Sequence, residues 1–401
     1  MPLLERHGKD GTSVKEVFDV LVAGAGYAGS VAARALAEKG KKVLVLERRD
    51  HVGGNAYDCL DETGVLIHQY GPHIFHTNDK KVFDWLSRFT KWREYQHRVI
   101  ANIPDETGGR MTYPVPFNLT SLETAFGETE GKRLGDKLIA AYGAEKKVTI
   151  LELRQNEDPE IAALADYVYE HVFVHYTMKQ WGQKPEEIDP NTTARVPVFL
   201  SRDDRYFQDA YQGMPLEGYT PMFEAMLDHP NITLELGEDA LDWLDLSGDQ
   251  IKVDGEPFGG AVIYTGQADE LFGFRFGSLP YRTLHFDFET LHQDDFQGYG
   301  TVNYTVDEDY TRITEFKHLT GQQIPGVTTI VREYSKAYSG AVGETPYYAI
   351  INPENNAQYA KYQKEAERFG NLYLLGRLAE YKYYNMDAIA ARALELADSM
   401  N

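Results

Sequence analysis

Apolar positions along this chain follow two periods, and the changes between them divide it into regions. Val20-Leu21-Val22-Ala23 is a continuous apolar run, the mark of a strand buried on both faces, and an Ala-rich stretch of helical period follows it. A second run, Lys41 to Glu47, completes a strand–helix–strand unit that extends through residues 17–90. From 118 to 180 the period is helical, with apolar positions at Ala162, Leu164, Val168, Val172 and Tyr176, and this predicts a helical bundle. Arg195 to Tyr219 and Leu279 to Ile350 are rich in Tyr, Phe, Val and Thr, and YRTLHFDFET, GTVNYTV and TTIVREYS alternate as antiparallel strands do. Ile232–Leu236, Ile251–Val253 and Ala261–Gly266 return to the style of the first unit, as does Leu372 to Leu375 near the C-terminus, with a helix beginning near Met386. Asp105–Arg110 reads as a hairpin tip, and the polar stretch from Gln183 reads as a mobile loop. The pattern predicts an α/β protein: a Rossmann-like domain discontinuous over 17–95, 228–278 and 365–401, a helical insert at 118–182, an antiparallel sheet domain from 96–117, 195–227 and 279–350, and a mobile loop at 183–194.

The turn after the first strand carries the clearest chemistry. Gly24-x-Gly26-x-x-Gly29 permits a tight turn and close approach of backbone N–H groups to a pyrophosphate at the helix N-terminus, with Ala28 inside the motif. Glu47 stands where an acid accepts hydrogen bonds from the ribose hydroxyls of an adenosine. Arg48 and then Gly53-Gly54-Asn55 follow at once. A simple NAD domain does not need this second glycine pair, whereas an extended FAD passes close to such a segment. Gly376-Arg377 ends another short strand, and the N-terminus of the helix near Asn385 and Met386 faces the flavin carbonyls in this reading. The predicted cofactor is FAD.

Composition narrows the partners. The net charge of −22 over 401 residues argues against nucleic acid or an anionic membrane, so an anionic small substrate needs a few focused arginines. The single cysteine, Cys59, excludes an internal disulfide and fits a cytoplasmic, reducing setting. The first sixteen residues lack an apolar core and read as a disordered extension, and no window approaches the ~18 apolar residues of a membrane span. His73 and His76 have no third ligand at metal-like spacing, so no metal is predicted; packing on the flavin suits the segment better. No Gly-x-Ser-x-Gly, Cys/His pair or carboxylate pair points to acyl transfer or glycoside hydrolysis, which shifts the chemistry onto the cofactor.

The substrate candidates lie in the inserted regions. Tyr176 and Trp181 sit at a helix end, either as core aromatics that cap the helix or as a stacking platform for a nucleobase or sugar. Arg195 and Arg312 flank aromatic strands and suit paired phosphate clamps, though each taken singly also fits a solvated surface charge.

These segments carry a resemblance. Tyr70-Gly71-Pro72-His73-Ile74-Phe75-His76-Thr77, Tyr176-Thr177-Met178-Lys179-Gln180-Trp181-Gly182, Arg195-Val196-Pro197-Val198, Tyr310-Thr311-Arg312-Ile313 and Gly376-Arg377-Leu378-Ala379-Glu380-Tyr381-Lys382-Tyr383 resemble the bacterial UDP-galactopyranose mutases, in the same order from about residue 17 to the end. So do Arg205-Tyr206-Phe207 with Tyr211-Gln212-Gly213, and Pro346-Tyr347-Tyr348. The resemblance implies a cytoplasmic isomerase, at least dimeric, that interconverts UDP-galactopyranose and UDP-galactofuranose for surface polysaccharide. The N5 of its reduced FAD attacks the anomeric carbon, with no net redox change. It implies that Arg195 and Arg312 hold the diphosphate, that Tyr176, Phe173 and Thr177 form the uridine site, and that Trp181 flanks the substrate. Tyr206, Tyr348 and Tyr383 surround the diphosphate and sugar, His73 and Ile74 lie on the flavin, His76 sits near its reactive face, and Asn303 and His97 contact substrate. Asn385 departs from the aspartate common in relatives, which leaves it a hydrogen-bonding contact and no acid or base. The alternative is an amine-oxidase-like FAD oxidoreductase, which shares the cofactor segments but moves a hydride.

Overall fold

The computed structural model describes residues 3–7, 13–105, 107–182 and 197–400. Five parallel strands form the sheet that carries the glycine turn, in the order Ile232–Leu236, Val43–Glu47, Val20–Ala23, Ala261–Tyr264, Leu372–Leu374. The continuous apolar runs are explained by cover on both faces. Successive side chains of one strand point to opposite sides, so Val20 and Val22 join one apolar cluster while Leu21 and Ala23 join another. The first cluster includes helices Tyr27–Glu38, Tyr219–Leu227 and Met386–Ser399; the second includes Phe258, Leu271 and Tyr362. Gly24, Glu47, Thr265 and Gly376 all fall at the carboxyl ends of these strands, where open α/β sheets bind ligands.

A second sheet of seven strands runs Arg110–Val115, Val99–Pro104, Thr301–Tyr304, Arg312–Glu315, Thr328–Ala337, Tyr281–Leu291, Pro346–Ala349. It is antiparallel except where Val99–Pro104 meets Thr301–Tyr304 in parallel. The helices from Leu119 to Trp181 pack with Val99, Ile103, Tyr113 and Val115 of its edge strands into one core, so the helical insert is anchored on this sheet. At the hairpin tip Asp105 Oδ1 accepts from the backbone N–H of Thr107 and of Gly109, both at 2.8 Å, an Asx-type turn away from either ligand region.

Four local expectations change. Leu3–His7 and Ser13–Val17 pair as antiparallel strands where the lack of an apolar core pointed to a disordered extension. Residues 197–227 do not belong to the seven-stranded sheet. Val198–Phe199 pairs with Lys147–Val148 beside the helical insert, and Tyr211–Pro215 sits between Phe75–Thr77 and Trp92–Glu94. Helix Tyr219–Leu227 buries Tyr219, Met222, Phe223 and Met226 on the parallel-sheet side, where the Phe223 ring meets Tyr27 edge-on at 4.9 Å. Apolar periodicity identifies a strand or helix but not its partner, and here the partner is distant in sequence. Lys252–Val253 joins a small antiparallel meander with Leu244–Asp245 and Glu256–Pro257 instead of extending the parallel sheet. Tyr169–Val174 is a π-helical turn, an irregularity inside the segment expected to be plain α-helix. The loop 183–194 and Arg195 lie outside the described residues.

Candidate active site

The glycine turn builds an open cleft of about 230 Å³, lined by Gly24, Gly26, Gly53 and Gly54. Its shape depends on missing Cβ atoms. A Cβ on Gly29 would lie 1.9 Å from the carbonyl oxygen of Gly24, and one on Gly24, where φ is +104°, would lie 2.2 Å from Thr265 Oγ1. A Cβ on Gly54 would lie 2.9 Å from Gly26 Cα, so the two glycine loops touch backbone to backbone. Gly53 N–H donates to the Ala25 carbonyl at 2.9 Å and locks that contact. Ala28, beside Gly26 on the helix, lines the same wall.

Glu47 is 5 % exposed, and both of its oxygens are oriented by backbone donors, Oε2 by Ala25 N–H at 2.7 Å and Oε1 by Arg49 N–H at 2.9 Å. The carboxylate is thereby aimed into the cleft with lone pairs left for a diol. Arg48 lies beside it, its Nη1 3.6 Å from Glu270, and Asn55 Oδ1 accepts from Arg49 Nη2 at 2.9 Å. Arg49, Thr265 and Asp239 also line this cleft and were not anticipated; none has a local sequence signature. At the far end lie His73, Arg377 and Met386, and Met386 opens a fourteen-residue helix for which Asn385 is the N-cap. Ile74 packs on the apolar cluster behind this wall. The His73 imidazole is pushed down to about 3 by burial, with the nearby His68, Arg377 and Arg312 adding to the effect. It is therefore neutral, and its Nδ1, 2.8 Å from the Gly71 carbonyl, carries the proton because a carbonyl only accepts. His76 turns elsewhere. Its Nδ1 is 3.0 Å from Asp209 Oδ2 and its ring stacks on Phe207 at 3.6 Å.

A second group of side chains gathers around Arg312. Asn303, Arg312 and Glu333 are direct cross-strand neighbours in the seven-stranded sheet. Arg312 donates Nε and Nη2 to the same Glu333 oxygen, at 2.9 and 2.8 Å. Burial opposes the Arg312 charge, but Glu333 outweighs it and holds the guanidinium firmly protonated. Tyr176 and Tyr348 lie within its field; burial raises both phenols, Tyr348 to about 12, so both are neutral donors. Tyr348 stacks on Tyr383 at 6.0 Å, and the Arg377 guanidinium lies 4.6 Å from the Tyr383 ring centre. Arg377 and His73 thus belong to both groups, and they join the cleft to the Arg312 pocket. His97 is pushed down to about 3 by burial, with Arg312 and His76 contributing, and Tyr206 contacts its ring edge-on at 5.7 Å.

Other expected substrate residues are placed unevenly. Thr177 is buried one residue beyond Tyr176, while Phe173 lies in the π-helical turn and is part of the helical insert's apolar core. Trp181 ends helix His175–Trp181, and Arg195 lies outside the described residues. Two cations missed by sequence reading hold that helix. Lys179 Nζ donates to the carbonyls of Tyr304 and Glu308 at 2.6 and 2.8 Å. Arg282 donates to the carbonyls of Gln180 and Lys179 at 3.1 and 3.2 Å, capping the helix C-terminus. Glu333 was also missed. The signal was present, since alternation along TTIVREYS sets it on the same face as the buried Val331.

A glycine-lined cleft at the carboxyl ends of a parallel sheet, joined to a side-chain pocket on a second sheet, defines a two-sheet dinucleotide-binding protein. Residues 22–89 match the NAD(P)-binding Rossmann-like domain family, and residues 171–383 match the UDP-galactopyranose mutase family. The chain is 37 % identical over 96 % of its length, and 96 % of the relative's, to a UDP-galactopyranose mutase of Mycoplasma pneumoniae. It is 35 % identical, over 94 % of its length and 97 % of the relative's, to a dTDP-fucopyranose mutase of Escherichia coli. In fold it is similar to the crystal structure of reduced UDP-galactopyranose mutase, with a TM-score of 0.69 at 17 % identity over 96 % of this chain and 93 % of that one. The chain belongs to the UDP-galactopyranose mutase family and is an isomerase.

Proposed function

We propose that this enzyme interconverts UDP-galactopyranose and UDP-galactofuranose with FAD in the glycine cleft, and that it is active only when the FAD is reduced. The observation that carries the reading is the junction at His73 and Arg377: both line the cleft, His73 lies within the field of Arg312, and the Arg377 guanidinium sits 5.8 Å from the Tyr348 ring centre. The residues fit the cofactor. Gly24, Gly26, Gly29 and Gly54 leave backbone room for a pyrophosphate, Glu47 offers lone pairs to a ribose, and the N-terminus of the helix at Met386, which has no side-chain cap from Asn385, lies at the opposite end. Reduced FAD held there supplies a nucleophilic nitrogen for the anomeric carbon.

The protein's own residues do the rest. Arg312, fixed by Glu333, faces the diphosphate and stabilises the charge that grows as the anomeric C–O bond breaks. Arg195 supplies the matching contact from the segment after the helical insert. Tyr176 and Thr177 hold the uridine, Tyr348 and Tyr383 donate to the phosphates or sugar, and neutral His73 packs on the isoalloxazine. We place the enzyme in the cytoplasm as a homo-oligomer; its one cysteine is a free thiol, which suits a reducing compartment.

Purified protein is expected to be yellow and to release FAD on heating. With dithionite it should convert UDP-galactofuranose to UDP-galactopyranose, consuming no stoichiometric reductant, and it should be inactive when oxidised. Activity retained with 5-deaza-FAD, or reductant consumed with each turnover, would return the reading to hydride chemistry. Offering dTDP-fucopyranose beside the UDP sugar tests the base and sugar: preferential turnover of the thymidine substrate would overturn the substrate assignment.

A further inference from the structure

We infer that Glu333 is a positioning residue for this reaction: its carboxylate sets the plane and the effective charge of the Arg312 guanidinium that receives the diphosphate. This rests on the proposed function, which puts the diphosphate at Arg312. Glu333 is 1 % exposed on strand Thr328–Ala337, directly across from Arg312 in the sheet. Both hydrogen bonds from Arg312, Nε at 2.9 Å and Nη2 at 2.8 Å, end on Glu333 Oε2. The guanidinium is therefore held by one edge, and Nη1 with the outer N–H of Nη2 is left for a ligand.

Among the described residues the other oxygen, Oε1, is buried with no hydrogen-bond partner. An unmet buried acceptor costs stability, so Oε1 asks for a reason beyond the fold. Among the described residues both side-chain hydrogen bonds to Glu333 come from one arginine. The surroundings limit any alternative geometry. A Cβ on Gly71 would lie 3.0 Å from the Phe286 ring and 3.5 Å from Glu333 Oε2, so the turn leading to His73 closes directly over the acid. Tyr176 and Tyr348 both lie within the field of Glu333 as well as of Arg312.

Charge gives the inference a distinctive sign. An arginine paired with a carboxylate presents less net positive potential than a free one. Diphosphate must be held while it leaves the sugar, and it must also return to the sugar at the end of the cycle. A clamp of full charge would bind free UDP more tightly without favouring the transition state, which slows turnover. Glu333→Gln preserves shape and an acceptor oxygen while removing the charge. A merely structural acid, once removed, leaves ligand affinity unchanged or weakened. A positioning and tempering acid leaves UDP bound more tightly and turnover slower.

The test uses the FAD-loaded full-length enzyme, with UDP affinity measured by calorimetry and kcat and KM measured under reducing conditions. Glu333→Gln is expected to tighten UDP by about threefold to tenfold and to lower kcat by about tenfold or more. Glu333→Asp keeps the charge but withdraws the oxygen by one methylene; it is expected to leave UDP affinity near wild type and still lower kcat, and it serves alone if the Gln variant does not accumulate. Unchanged or weaker UDP binding in Glu333→Gln, or wild-type kcat in Glu333→Asp, would overturn the inference. Arg312→Lys separates the two levels. If it binds UDP as wild type does, the diphosphate is not at Arg312 and the underlying reading fails; if it weakens UDP while Glu333→Gln changes nothing, only the role of Glu333 fails.

Discussion

The glycine cleft and the Arg312 pocket meet at His73 and Arg377, yet they are built of different material. The cleft is mostly backbone, with its walls set by Gly24, Gly26, Gly29 and Gly54 and its one acid oriented by main-chain donors. The pocket is side chain throughout, gathered from strands Thr301–Tyr304, Arg312–Glu315 and Thr328–Ala337 and from helix His175–Trp181. A backbone site tolerates almost no added volume, because what surrounds it cannot turn away. A side-chain site tolerates volume better but depends on charge pairing. Substitutions in the two regions should therefore fail differently, the first by losing cofactor and the second by losing turnover with cofactor in place.

The largest effect is expected in the cleft. Gly29→Val sets a side chain where a Cβ already comes within 1.9 Å of the Gly24 carbonyl, at a cost on the order of 3 kcal/mol or more. The variant should purify without flavin absorbance; stoichiometric FAD in it would break the contrast. Next comes Arg312→Ala, which should cost at least ~2 kcal/mol of transition-state stabilisation while FAD content stays normal. Arg195→Ala should behave alike. Near-wild-type turnover in either variant would make that arginine a surface charge.

Acid should expose a weakness at two buried histidines beside the junction. Burial pushes His68 down to about 4, and His97 to about 3 with Arg312 adding to the effect, from an ordinary value of 6.5. The unfolded chain then binds more protons than the folded one below pH ~6.5, so this stability is present above that pH and is lost as pH falls toward the folded values. Between pH ~6.5 and ~5 each fully buried imidazole should withdraw about 2 kcal/mol. Urea titrations across that range should show the loss, and His97→Gln should flatten the slope. A slope unchanged by that substitution would assign the acid sensitivity to other groups.

The same contrast explains what the sequence disclosed. The cleft is written locally: a strand, three glycines, an Ala-rich helix and an acid follow one another within Val20–Glu47, and each acts on its neighbours. The pocket is written non-locally. Arg312 and Glu333 are 21 residues apart, and Arg282 reaches the helix carbonyl of Gln180 across 102. Nothing in a linear pattern pairs them; Arg312 was reached through family resemblance, and Glu333 could have been suspected only as an inward-facing acid on an alternating strand. The expected place of 195–227 in the antiparallel sheet fails at its described residues for the same reason, since the pairing of Tyr211–Pro215 with Phe75–Thr77 is set by tertiary packing and not by its own composition.

The smallest expected effect tests whether the two kinds of site communicate through helix His175–Trp181. This helix carries Tyr176 and Thr177, and its Lys179 reaches back to the loop that precedes Arg312. The ammonium is half-buried against main-chain carbonyls, with Tyr304 at 2.6 Å, Glu308 at 2.8 Å and Tyr310 at 3.4 Å. Burial lowers its pKa, while Glu308, Asp307 and Asp309 favour the charged form. Lys179→Met keeps the length of the stem and removes the three donors, so the helix and the loop lose their tie while the apolar packing remains. The expected cost is about 1 kcal/mol, read as a severalfold rise in KM with a smaller change in kcat, because the nucleoside contact and the diphosphate contact would no longer be held at a fixed separation. FAD content should not move, since no residue of the cleft is touched. If the variant melts earlier yet binds UDP with wild-type affinity, Lys179 only stabilises the fold. If it loses FAD instead, the cleft and the pocket are coupled more tightly than their different construction implies.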